Sequence, residues 1–158
     1  MTGPFEDLLN DLSRHFHLKL HIDQSNACSI LFPSGLVIQL QLDSGQENLF
    51  LFCKIAEIPP GKFRENVLMQ ALKANALPDP LAGILAFLNL SNHLALYQRY
   101  PLAIVNGERL AIFIANFLQL ADSWRDALAQ GRNGPLPHTS SPHTSSSSSL
   151  EKPFGLKP

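Results

Sequence analysis

The 158-residue chain has little of what most chemistry needs. It holds two cysteines, Cys28 and Cys53, each inside an apolar strand-like run, where a thiol is a core side chain rather than a nucleophile. Lys and Arg nearly balance Asp and Glu at a net charge of −1, which leaves no electrostatic case for nucleic acid or an anionic membrane surface. No apolar run reaches membrane-spanning length, and MTGPFEDLL lacks the basic-then-apolar order of a signal peptide. Together these point to a cytoplasmic protein with reduced thiols. A glycine-rich phosphate loop, a nucleophile elbow and an HExxH pair are all missing. His15, His17 and His21 match no zinc spacing and read as surface or capping residues. His138 and His143 lie in a serine-rich tail that cannot hold a preorganised site. The expectation is a protein that is not an enzyme and calls for no cofactor or metal.

What is present is apolar surface, in a chain that is 45% hydrophobic and long enough for one domain and a tail. The centre is the stretch from Gly35 to Pro59. Leu36, Ile38, Leu40 and Leu42 alternate with Gln39, Gln41 and Asp43, the period of a half-buried strand. Residues 43–48 supply a turn, with Gly45 free to take positive φ. The next strand is apolar on both sides: Leu49, Leu51, Cys53 and Ile55 on one, Phe50, Phe52 and Ala56 on the other. Such a strand is covered twice, by its own core and by a helix, a second subunit or a bound segment.

The flanking elements follow from periodicity and punctuation. Residues 4–16 predict an amphipathic helix with Pro4 at its start, Glu6 and Asp7 in its first turn, and a stripe of Phe5, Leu8, Leu9, Leu12 and Phe16. A short extended segment at Leu18–Ile22 and a strand at Cys28–Phe32 come next. Pro59-Pro60-Gly61 opens a helix, Lys62–Asn75, whose wide arc of Phe63, Val67, Leu68, Met69, Ala71, Leu72, Ala74 and Ala76 suits a helix gripped from two sides. Pro78-Asp79-Pro80 ends that helical run. Strands at Gly83–Leu90 and His93–Tyr100 pair across Ser91-Asn92. A last helix capped by Asn106 carries Leu110, Phe113, Ile114, Phe117, Ala121, Trp124 and Leu128 to a stop at Gly131. The fold class is therefore α+β: a twisted antiparallel sheet with three helices, in the order α-β-β-β-α-β-β-α. Residues 1–131 form the domain. Residues 132–158, with a tandem Pro-His-Thr-Ser-Ser repeat, read as a disordered tail dispensable for folding.

The stretch from Leu68 to Asn75, a leucine-rich helix ending in Ala-Asn, the strand Leu94–Leu102 closing in Arg-Tyr-Pro-Leu, and Trp124 near the end of an amphipathic helix resemble the class I type III secretion chaperones, the Tir-chaperone (CesT/SycE-like) family. The resemblance covers residues 5–130. It implies a homodimeric chaperone that keeps the N-terminal region of a secreted effector extended, with the secretion ATPase as a further partner. The dimer is expected on Phe63, Val67, Leu68, Ala71 and Leu72. Effector contacts are expected on Phe5, Leu9, Phe16, Ile30, Phe32, Phe50 and Phe52, with α1 covering Phe50 and Phe52 as the competing arrangement. A homodimeric adaptor with no cargo stands as the alternative function.

Overall fold

A computed structural model of the chain describes residues 3–77 and 82–136. The expected break at Pro78-Asp79-Pro80 and the repeat-containing stretch from 137 onward lie outside the described residues. In order the elements are α1 (Pro4–Phe16), β1 (Ala27–Leu31), β2 (Val37–Leu42), β3 (Asn48–Glu57), α2 (Lys62–Asn75), β4 (Ile84–Leu88), β5 (His93–Pro101), a short 3-10 turn (Leu102–Ile104) and α3 (Gly107–Ala129). All strands are antiparallel, in the spatial order β1-β2-β3-β5-β4. The class and element order match those read from the sequence.

Local chemistry explains most boundaries. Pro4 sits in the first turn of α1, and His17, in the left-handed region at φ 52°, closes it with its N–H on the Ser13 carbonyl. His17 is thus a capping histidine. No strand forms at Leu18–Ile22. Leu20 and Ile22 pack against the core, and the Asp23 carboxylate gathers the N–H groups of Ser25 and Ala27 at 2.7 and 3.1 Å. That side-chain turn sets up β1 from within one strand-length of α1. Asn106 caps α3 by accepting the Arg109 N–H at 2.8 Å.

The β2–β3 turn departs from expectation in one detail: the positive φ falls on Gln46 (57°), not Gly45. The turn is built instead on Asp43. Its carboxylate accepts the Asn48 side-chain amide at 2.7 Å and the N–H groups of Glu47 and Asn48 at 2.8 and 3.1 Å. The Asn48 side-chain bond, helped by these main-chain donors, holds the Asp43 carboxyl below its usual range. A lowered folded-state pKa contributes stability that is present above the unfolded value of about 3.9 and disappears as pH falls through the folded value. Asp43→Ala should therefore speed amide exchange at Glu47 and Asn48 at neutral pH and abolish the acid-induced loosening of this turn. Hydrogen exchange across a pH series reads both. Equal exchange in the two proteins would show that the carboxylate does not hold the turn.

The core fills the space between one sheet face and the helices. Leu40, Leu49, Leu51, Cys53, Leu94 and Leu96 point into it from the strands, and Leu12, Val67, Leu110, Ile114 and Phe117 from the helices. Tyr100 stacks on Phe113 of α3, centroids 4.3 Å apart and planes 6° from parallel. Burial raises the Tyr100 hydroxyl to about 12 and the Cys53 thiol to about 11, and it also raises Cys28. At the β4 end, Arg64 of α2 lies 4.8 Å over the Phe87 ring and donates to Asn92 Oδ1 at 2.8 Å. The Asn75 side chain donates to the Leu85 carbonyl at 2.8 Å and accepts the Leu85 N–H at 2.9 Å. Past α3, Gly131 turns the chain back at φ 74°, and Arg132–Leu136 follow on the helical side of the molecule.

Helices α1 and α3 meet where there is no room for a side chain. A methyl group at Gly107 would lie 2.5 Å from Cβ of Asp11. Gly107→Ala should force the helices apart and destabilise the domain by about 1–3 kcal/mol, an overpacking cost that exceeds the gain of up to about 1 kcal/mol from replacing a helical glycine. The denaturant midpoint tests this, and a variant as stable as the parent would mean that α1 shifts freely over α3.

Candidate docking surface

Period-2 alternation places one set of strand side chains in the core and the other on an opposite face that carries none of the three helices. Cross-strand registers fix which residues meet there. Ser29, Gln39, Phe52, Tyr97 and Ile84 form one row across all five strands. Gln41, Phe50 and Arg99 form the next, and Leu31 pairs with Val37 towards the β1 edge. An open antiparallel face is ordinarily polar. This one shows Leu31 at 69% exposure, Val37 at 44% and Tyr97 at 38%, with Phe50 and Phe52 half-buried beside them. Gln39, Gln41, Phe50, Leu51, Phe52 and Tyr97 surround a depression of about 400 Å³. Aromatic walls accept apolar side chains, and the Gln39 amide can donate to and accept from a passing main chain.

The expected site residues separate. Phe50 and Phe52 stand on the open face, so α1 does not cover them. Phe5, Leu9, Ile30 and Phe32 lie in the core at 6, 3, 2 and 8% exposure. Phe16 sits at the core margin, edge-on to Phe32 at 5.8 Å. Their burial removes them from the open face because α1 turns its whole apolar stripe onto α3 and the sheet. Tyr97, Leu31 and Val37 belong to the surface and escaped the sequence reading. Tyr97 was within reach of it: in β5 the core set Leu94, Leu96, Gln98 and Tyr100 leaves Ala95, Tyr97 and Arg99 on the other side.

Helix α2 is narrower in its own packing than its composition suggests. Only Val67 and Ala71 are buried. By the 3.6-residue turn, Leu68 and Leu72 lie on one flank of that line, whereas Phe63, Gln70, Ala74 and Leu77 lie on the other. Phe63, Met69 and Leu72 are 37, 57 and 68% exposed. The residues expected in a dimer contact thus divide into a buried pair and two flanks. Among the described residues, no three His, Cys, Asp or Glu side chains gather as a metal site, and no helix is long and apolar enough to cross a membrane.

A helix-backed antiparallel sheet with an apolar open face defines a binding domain rather than a cleft. The chain belongs to the Tir chaperone protein (CesT) family, whose model matches residues 7–125. Its fold is similar to a chain of the HopA1–SchA chaperone–effector complex (TM-score 0.63, 24% identity, covering 78% of this chain and 94% of that one). It is similar also to the Yersinia pestis type III secretion chaperone SycH in complex with a stable fragment of YscM2 (0.62, 15% identity, 75% and 97%). A third likeness is to the ExoT–SpcS complex from Pseudomonas aeruginosa (0.58, 17% identity, 77% and 97%). No curated protein sequence matches the chain.

Proposed function

We infer that this protein is a type III secretion chaperone that binds the N-terminal region of a secreted effector, keeps it non-globular and delivers it to the secretion apparatus. The observation that carries this is the apolar open face of the sheet in a member of the Tir chaperone family. An extended segment laid on that face buries alternate side chains against Phe50, Phe52 and Tyr97. The edge of β1 beyond Ala27, whose N–H and C=O are engaged by Asp23, offers main-chain partners in the same plane. Binding the extended form in preference to collapsed ones keeps the segment unfolded by mass action, with no reaction and no nucleotide. The protein acts in the bacterial cytoplasm, as a homodimer and without enzymatic activity, and the secretion ATPase is the receiver of its cargo. The Leu68–Leu72 flank of α2 supplies the dimer contact, since twofold pairing is the commonest way to bury such a flank.

Native mass measurement with the N-terminal segment of a secreted effector tests the reading. The expected species is a chaperone dimer carrying a segment that remains open to protease where it leaves the surface. A dimer that ignores every effector segment at micromolar concentration would be an adaptor instead.

A further inference from the structure

The open sheet face carries a pattern of charge as well as of apolar groups. Lys54 and Arg99 stand on it, each exposed between buried neighbours on its own strand. Arg99 shares a row with Phe50 and Gln41, and Lys54 shares one with Ala95 and Ala86. The row of Gln39, Phe52 and Tyr97 runs between them. At about 3.4 Å per residue, the two cations lie about 14 Å apart along the strands. They flank the aromatic depression at its two ends. Basic side chains on the helices are matched: Arg14, Lys62 and Arg125 each meet a carboxylate on the same helix. Among the described residues, no carboxylate comes within ion-pair distance of Lys54 or Arg99. Acidic groups stand at the ends of the face. Asp43 is committed to Asn48 and Glu47, with Arg99 adding a longer-range attraction, and Glu57 ends β3 opposite His93.

We propose that the segment bound by the open face is acidic as well as apolar, with two carboxylates four residues apart flanking a large apolar side chain. This rests on the open face being the cargo surface and adds which segments it selects. In an extended chain the side chains at i, i+2 and i+4 point to one face, at the spacing of the three rows. An apolar residue seated against Phe52 and Tyr97 therefore brings one carboxylate to Arg99 and the other to Lys54. Covering an unpaired cation with an apolar segment is costly, and a carboxylate that arrives with the segment offsets that cost. The same cations penalise a segment with Lys or Arg at those positions. Further out, Asp43 and Glu57 repel additional acids, which confines the carboxylates to the two places. Two separated cations in a chain of net charge −1 suit a short acidic motif better than the continuous charge of a nucleic acid.

The test uses the full chain and three short labelled peptides with the same apolar ends and a centre of Glu-Ser-Leu-Ser-Glu, Gln-Ser-Leu-Ser-Gln or Lys-Ser-Leu-Ser-Lys. In about 0.1 M salt the acidic peptide should bind about tenfold tighter than the amide one, and the lysine peptide weakest. The ratio should shrink to about twofold in about 1 M salt, where charges more than a few ångströms apart are screened. Lys54→Glu with Arg99→Glu, both exposed positions, should stay folded by circular dichroism and prefer the lysine peptide. Equal binding of the acidic and amide peptides by the parent would overturn the proposal and leave the open face as the cargo surface. No binding of any peptide at millimolar concentration would remove that surface from the function, and the proposal with it. An acidic preference that survives the charge reversal, or that persists in Phe50→Ser, Phe52→Ser, would place the peptide elsewhere and overturn it. So would a single-stranded oligonucleotide that displaces the acidic peptide at micromolar concentration, which would assign the two cations to phosphates.

Discussion

Replacing Phe50 and Phe52 together by serine should leave a folded dimer whose affinity for an effector segment is lower by a hundredfold or more, about 3 kcal/mol. The two rings are half-buried on the open face, so their loss exposes surface rather than hollowing the core. The domain should tolerate a cost of about 1–2 kcal/mol against a total stability of about 5–15 kcal/mol. Leu51, between them in sequence, is fully buried and faces the helices. Leu51→Ser on the same strand should unfold the protein, because it combines a lost core side chain with a hydroxyl placed in the apolar interior. Circular dichroism and titration with a labelled effector segment separate the two outcomes. A folded Phe50→Ser, Phe52→Ser protein with undiminished affinity would remove the open face from the function.

The second large effect concerns α2. Leu68→Asp with Leu72→Asp should convert the dimer to a folded monomer, since Leu72 is exposed, Leu68 is only partly buried at the margin of the core, and a carboxylate pair there would be desolvated in the contact. The expected change is again a hundredfold or more in the dissociation constant, read by sedimentation across a concentration series. Phe63→Asp, on the other flank, should leave the dimer intact. Val67→Asp buries a charge in the domain itself and should unfold it, so it marks the difference between interface and core. A Leu68→Asp, Leu72→Asp protein that remains dimeric would move the contact to another surface.

These two tests fall where the sequence was legible to different degrees. Strong periodic segments read directly: the stripe of α1, the long run of α3 with its Asn106 cap, and the alternation of β2 all stand as expected. A two-sided apolar strand also announced itself in β3, and Phe50 and Phe52 were rightly placed opposite Leu49 and Leu51. What could not be read was which apolar stripe meets which. Phe5, Leu9 and Ile30 look as available as Phe50 in a list of residues, and only the docking of α1 against α3 assigns them to the core. The close approach at Gly107 that permits this docking carries no local sequence signature. On α2 the composition showed excess apolar surface but could not divide it into flanks, because that division depends on where the short β4 lies. The Asp43 turn shows a smaller failure of the same kind. Glycine drew the eye, but a carboxylate collecting three hydrogen bonds decides the backbone.

The Asn75 side chain has a further consequence for how this molecule meets others. By engaging both the N–H and the C=O of Leu85, it acts as a strand one residue long, laid along the outer edge of β4. An incoming strand would find the second residue of that five-residue edge already occupied. The other margin carries a matching contact: on β1 the Asp23 carboxylate accepts the Ala27 N–H and the Asp23 N–H donates to the Ala27 carbonyl. In a member of a chaperone family, that pair of contacts has a protective sense. Each contact shortens the run of free main-chain groups on its edge, so indiscriminate sheet-to-sheet stacking is disfavoured while the apolar face between the two edges stays accessible.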